Sequence, residues 1–369
     1  MVFVFSVSIA LISVGMMLAN YSAEVPYQGT VIEIGFYQRN TGMQLSGVTV
    51  GPSTLSVLSL LGLISVWYLF RESRGARRWF GVFCAVLLLF VIGAANAYSS
   101  LISMLAFSVL YPFCRALDCT SSKRFARRGA ETAARMLAMC LLVCCCFFGI
   151  QRLETAVVND ISQAVYQHEL KEAEKEQTNP PEQPEPSEPA QPEPSKPSVP
   201  AQPEPSEPSV PEQPAEITIS RDIKTSAIGV RLSIWKEGIK LFLSHPLGVT
   251  NNAISVRAFY GVPDYEYRNL HNGYLTLLVG AGIVGFSLIV IFGVWFFFRT
   301  LRCLFQCRDE KKRRMLSVLI ASCGAILAAD LVNGCFVLWR GLQYIFLWLL
   351  LGEICAQISD TSADCNAPE

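Results

Sequence analysis

The sequence predicts an all-α polytopic membrane protein of about eight transmembrane helices with one large extracytoplasmic loop. Three observations carry this expectation. Hydrophobic residues make up 51% of the 369 and charged residues only 16%. The apolar residues fall in blocks of about membrane-spanning length, not in the narrow stripes of amphipathic surface helices. Arginines and lysines crowd into every second short connection between those blocks, the pattern that fixes orientation in a bilayer.

The blocks lie near residues 2–19, 52–70, 79–97, 99–114, 134–150, 273–298, 315–333 and 336–356, each close to the length that crosses about 30 Å of hydrocarbon. Between the second and third stand Arg71, Arg74, Arg77 and Arg78; between the fourth and fifth, Arg115, Lys123, Arg124, Arg127, Arg128 and Arg135. After the sixth come Arg299, Arg302, Arg308, Lys311, Lys312, Arg313 and Arg314. Positive charge stays on the cytoplasmic side, so both termini are expected there. Residues 20–51, with Arg39 as their one basic residue, and the long stretch 151–271 are expected outside. Around Tyr98, the stretch 79–114 reads as two spans or as one bent helix plus a re-entrant piece. The first block lacks a basic leader and a small-residue cleavage site, so it reads as a retained helix and not a signal peptide.

Net formal charge is zero, which points to no nucleic-acid partner. Of the 13 cysteines none lies in 151–271, so no disulfide framework is expected outside the membrane. Cys144, Cys145 and Cys146 are consecutive within a helix and point in three directions, a spacing that suits packing and not one metal ion.

The domain plan is therefore five helices over 1–150, a polar stem over 151–178, a proline-rich repeat linker over 179–216, and an extracytoplasmic subdomain over 217–271. Three helices follow over 272–356, then a cytoplasmic tail over 357–369. In the linker, Ala190–Pro200 (AQPEPSKPSVP) recurs as Ala201–Pro211 (AQPEPSEPSVP), changed only at Lys196 and Glu207. Such a tract has little to bury and is expected to be extended. A low-complexity insertion, a spacer and an arm that contacts the cell wall all fit it.

The residue pattern becomes specific after Ile217. In RLSIWKEGIKLFLSHPLGVTNN, Arg231 and Trp235 are four apart and share one helix face. His245 and Pro246 end that helix, and Pro246 with Gly248 turn the chain back towards the membrane. The next helix opens at His271-Asn272 and continues GYLTLLVGAGIVGF. Its Gly280, Gly282 and Gly285 permit close packing. His271 stands at the water–membrane boundary and reads either as a polar anchor or as a titrating group near neutral pH. Asn272 reads as a helix cap or as a residue that orients the loop.

Taken in order, the Arg-x-x-x-Trp helix, the His-Pro-Leu-Gly turn and the His-Asn start of a glycine-bearing helix resemble the signature of the O-antigen ligase and polymerase superfamily. Leu45-Ser46-Gly47 followed by Gly51-Pro52-Ser53 resembles, more faintly, that family's Gly-x-x-x-Pro-Asn turn ahead of a helix. The resemblance implies a glycosyltransferase-C-like fold, an undecaprenyl-diphosphate-linked glycan donor, and a saccharide or lipid-anchored acceptor. It also implies membrane lipid and other polysaccharide-assembly proteins as partners, with polymerisation or ligation at the outer face of a bacterial cytoplasmic membrane. His271 matches the family's acceptor-activating base, and Arg231 the arginine that holds the diphosphate. Trp235, His245, Pro246, Gly248, Asn272, Gly282 and Gly285 match structural positions.

The family's frequent second arginine has no counterpart at Tyr98-Ser99-Ser100, and Ser73-Arg74-Gly75-Ala76 lies on the expected cytoplasmic side. Arg39, Arg257, Arg268 and Arg340 are the outer-face cations that can supply further substrate contacts. A diphosphate is already a good leaving group, so the reaction needs cations and a base, with no general acid. Direct displacement inverts the anomeric carbon, and no metal or other cofactor is expected. The alternative is a non-catalytic transporter or scaffold of a polysaccharide export complex, for which Asp330 is an isolated intramembrane acid. A topology reporter fused after Arg128 should read as cytoplasmic and one fused at Ser206 as extracytoplasmic; same-side signals would contradict the helix plan.

Overall fold

The apolar blocks become helices. α1 is Val2–Leu18, α2 Pro52–Phe70, α3 Ala76–Ala95, α4 Tyr98–Ala116 and α5 Gly129–Leu153. α6 follows at Thr225–Ser244, α7 at Gly273–Gln306, α8 at Glu310–Ala329 and α9 at Leu342–Asn366. The computed structural model describes residues 1–19, 21–27, 30–39, 42–49, 51–117, 129–153, 225–250, 253–258, 265–267, 270–307, 309–333 and 342–366. All of these belong to one unit built from Met1–Glu154 and Ile219–Glu369. The proline tract and most of the polar stem lie outside the described residues.

This is a multi-pass, mostly helical membrane protein. Five of the described helices, α2, α3, α4, α5 and α7, are long and apolar enough to cross a bilayer. α1 and the stretch Tyr344–Ser359 of α9 are apolar but shorter. α9 is described over Leu342–Asn366, extending further than the end of the 336–356 block. Exposed Leu288, Ile291 and Phe298 give α7 a lipid-facing flank.

Helix contacts are built on small residues. Between α4 and α8, Ser103 Oγ donates to the Ala325 carbonyl at 2.9 Å, and Gly324 leaves room for Leu110. Between α1 and α2, Ser6 Oγ donates to the Leu58 carbonyl at 2.9 Å beside Gly62. Lipid tails are as apolar as leucine, so close backbone approach and such hydrogen bonds do much of the holding.

The two ends of the bundle differ in kind. At one end Trp67 packs edge-on against Tyr111 at 5.1 Å, and Phe70 against Phe80 at 5.8 Å, which brings together the ends of α2 and α4 and the start of α3. Glu310, opening α8, accepts hydrogen bonds from Arg115 and Arg313. Glu72 accepts from Arg71 at 2.7 Å and Arg314 at 3.1 Å. The expected basic loops therefore do meet at one face. α3 starts at that face and α4 returns to it, separated by Asn96 in the left-handed conformation (φ 47°) and Ala97. They are two helices and not one bent helix.

At the other end Gln151 Nε2 donates to Asn96 Oδ1 at 2.7 Å, fastening α5 to the α3–α4 turn. A three-stranded antiparallel sheet, β1 (Ser22–Tyr27), β2 (Thr30–Arg39) and β3 (Gly42–Gly47), stands there in the order β1-β2-β3. The helical plan did not anticipate it. Phe36 and Leu45, paired across β2 and β3, are both buried. Gly47 (φ 55°) lies against Ser13 of α1, leaving no space for a Cβ. Pro52 then starts α2 within its first turn, where its missing N–H costs nothing.

Candidate active site

The site is assembled from α6, the turn after it, the start of α7 and the end of α8. On α6, Ile234, Trp235, Leu241 and Phe242 recur at helical spacing and pack with Ile254, Val256, Leu270, Val279 and Leu275. Gly238, on the same face, lets Leu270 and Leu275 come within van der Waals reach. Trp235 Nε1 donates to the Leu270 carbonyl at 2.9 Å. Arg231 lies one turn before Trp235 and is half-buried. A short hairpin, β4 (Val256–Ala258) with β5 (Tyr265–Tyr267), completes this layer.

α7 is broken at Gly282, whose φ of 67° and ψ of −176° are not helical. A break removes hydrogen bonds from the groups that would have spanned it. Here the turn after α6 supplies three bonds in their place. Val249 N–H donates to the Val279 carbonyl at 3.1 Å, Thr250 N–H to the Gly280 carbonyl at 3.0 Å, and Ile283 N–H to the Pro246 carbonyl at 2.9 Å. A Cβ on Gly282 would lie 2.2 Å from the Leu247 carbonyl carbon, and one on Gly248 (φ 98°) would lie 2.7 Å from Gly280 O. Gly285 sits above Ala281, where a Cβ would approach to 2.7 Å. Pro246, Gly248 and Gly282 thus belong to one backbone splice, while Gly285 packs against Ala281 of its own helix.

His271 occupies the corner that leads into α7. It is half-buried and left-handed, with φ 49°, an uncommon conformation in which histidine is nonetheless enriched. Its neighbours are fixed on both sides: Leu270 is fully buried and tied to Trp235, and Asn272 caps α7 by accepting from Leu275 N–H at 3.0 Å. The same Asn272 donates through Nδ2 to the Leu331 carbonyl at 3.1 Å. Gly273 N–H donates to the Asp330 carbonyl at 2.7 Å, and Tyr274 Oη to the Leu327 carbonyl at 2.8 Å. The corner is therefore locked to the end of α8.

Asp330 is the residue that the sequence did not assign to this place. It is fully buried, and its carboxylate lies directly over Gly273, where a Cβ would fall 2.1 Å from Oδ2. An acid at the end of an apolar block is a signal of function in membrane proteins, but its partner across 57 residues is invisible without the fold. α8 has 20 residues and so is about 30 Å long; Asp330 and His271 stand that far from Glu310 and the basic face.

The other residues of the sequence reading are more scattered. Arg257 is exposed on β4, in register with Glu266. Arg39 ends β2 in the small sheet. Arg268 and Arg340 lie outside the described residues. His245 is exposed, with Nδ1 2.9 Å from Ser244 Oγ. Ser99 and Ser100 are buried in the first turn of α4, and Arg74 sits between α2 and α3 at the basic face. Among the described residues no group of three or more His, Cys, Asp and Glu side chains is placed to hold a metal ion.

Comparison with known proteins gives one match. The sequence profile of a family described as O-antigen ligase matches residues 47–290, a span that runs from the end of β3 through the splice. No curated protein and no solved structure matches the chain.

Gly282→Ala should separate the turn from the helix, because it combines a φ/ψ region that is essentially glycine-only, costing about 1–3 kcal/mol, with a backbone clash. The expected result is a lowered melting temperature of the purified protein and lost glycan transfer. A melt and activity equal to wild type would show that the splice is dispensable.

Proposed function

Since the chain belongs to the O-antigen ligase family and so takes part in surface polysaccharide assembly, we propose that it joins glycans carried on undecaprenyl diphosphate, by polymerisation or ligation, at the outer face of the cytoplasmic membrane. The observation that carries this reading is the bond from Trp235 to Leu270. It ties the helix bearing Arg231 to the corner bearing His271, at the end of α8 remote from the basic loops. With those loops in the cytoplasm, the corner faces outwards.

The chemistry suits that place. His271 accepts the proton of the acceptor hydroxyl as its oxygen attacks the anomeric carbon, an ordinary task for an imidazole. The glycosyl–diphosphate bond breaks on the opposite side, so configuration inverts, and the departing diphosphate takes the electron pair. Negative charge grows there, and Arg231 opposes it with a planar fork that matches phosphate oxygens. The start of α7 is poorly placed to share that work, because Gly273 and Leu275 N–H groups are already bonded to Asp330 and Asn272. Side-chain cations must hold the diphosphate. Asp330 acts as a positioning residue: its carbonyl anchors Gly273, the second residue after His271. No metal is required for any of these steps.

His271→Ala should slow transfer by about 10²- to 10⁴-fold while donor binding stays close to wild type. Arg231→Ala should weaken donor binding, turnover or both, and Arg231→Lys should recover only part, since the charge remains and the fork is gone. Glycan-chain formation from a lipid-diphosphate donor by purified variants, with donor binding measured separately, checks both. Full turnover by His271→Ala would end the general-base assignment.

A further inference from the structure

We propose that the cleft between α1, α2, α8 and α9 at the basic end of the bundle binds one anionic glycerophospholipid, its acyl chain in the cleft and its phosphate against the arginines at the cleft's mouth. The cleft has a volume of about 280 Å³ and almost wholly apolar walls. It follows α2 from Leu61 to Leu69 and α8 from Ser322 back to Met315, a run of about 12 Å at 1.5 Å per residue. Ser65 does not make the wall polar, because its hydroxyl is spent on the Leu61 carbonyl at 2.8 Å.

Among the described residues no arginine lines the cleft itself; a cationic cluster lies next along the chain from its end at Leu69 and Met315. Leu69 and Met315 are followed or preceded within two residues by Arg71 and Arg314, and both arginines bond the same Glu72. In this cluster four guanidiniums, Arg71, Arg115, Arg313 and Arg314, share two carboxylates, Glu72 and Glu310. Two positive charges remain in excess, and Lys311 and Lys312 add to them on the first turn of α8. Arg115 Nη1 is buried and has no hydrogen-bond partner among the described residues. Basic pockets between helices at the cytoplasmic surface attract anionic headgroups, and an apolar slot leading away from such a pocket selects a ligand with a tail.

The remaining wall agrees with one orientation. Glu353 of α9 lines the cleft and accepts from Gln357 Nε2 at 2.9 Å; its negative charge pushes a phosphate towards α2 and α8. A glycan donor is an unsuitable occupant, because its diphosphate belongs at the His271 corner, about 30 Å away along α8. In excluding the donor the proposal rests on the function proposed above, while its test reads lipid binding and not transfer.

The test uses delipidated full-length protein in detergent, titrated with phosphatidylglycerol or with phosphatidylcholine of the same chains. Native mass spectrometry counts bound lipid and thermal melting reports stabilisation; glycerol phosphate serves as the headgroup without a tail. One phosphatidylglycerol should bind and raise the melting temperature, with phosphatidylcholine and glycerol phosphate each much weaker. Arg71→Gln with Arg314→Gln should lower phosphatidylglycerol affinity by about tenfold or more. Leu319→Trp, which fills the cleft, should abolish the single bound lipid, and Ser65→Leu should weaken it should the tryptophan variant fail to fold. Equal binding of the two lipids, or wild-type affinity in the charge or cleft variants, would overturn the proposal.

Discussion

Where α7 breaks at Gly282, the backbone of the turn after α6 bonds two of its carbonyls, Val279 and Gly280, and one of its amides, Ile283. In hydrocarbon an unpaired backbone group costs several kcal/mol, so a break is tolerated only where protein supplies the missing bonds. The exchange runs in both directions: the turn donates twice, and accepts once through the Pro246 carbonyl. Both chains need glycine at the crossing, since Gly248 and Gly282 leave each other no room for a Cβ. Once that crossing is made, α6 cannot drift from α7, and the Trp235 to Leu270 bond falls into place on the same layer.

The end of α8 fixes the second half of the arrangement. Three hydrogen bonds join Asn272, Gly273 and Tyr274 to carbonyls between Leu327 and Leu331. His271 is held between that knot and buried Leu270, in a left-handed conformation that an isolated histidine would seldom choose. Strain of this kind costs about 1–3 kcal/mol and persists only where the surroundings over-determine it. The residue proposed as the base is thus set by its neighbours' bonds more than by any preference of its own.

Much of this was legible in the sequence, unevenly and for physical reasons. Length and apolarity located the five described helices that are long and apolar enough to cross a bilayer, and the block boundaries 52–70 and α2 coincide. Pro246 ended α6 where a proline should, and the charge pattern placed Arg71, Arg115 and Arg314 on one side; their meeting around Glu72 and Glu310 came only with the structure. The β1–β3 sheet was missed although Gln28-Gly29 and Asn40-Thr41 separate β-prone runs by two residues each, a hairpin spacing. Its short strands were overshadowed by the helical signal around them. The glycines of α7 were read as packing residues; that one of them breaks the helix depends on a partner 34 residues earlier in the chain, which no local period reveals. Asp330 was hidden for the same reason, since its neighbour Gly273 lies on another helix.

The central claim is that Arg231 and His271 serve one reaction from one site. The most direct measurement is a double-mutant cycle of kcat/KM for glycan transfer with Arg231→Ala, His271→Ala and the combined variant. A shared transition state predicts that the double variant loses far less than the product of the two single losses, as groups acting as a unit do. Losses that multiply without coupling, or a single variant that keeps wild-type kcat/KM, would contradict it.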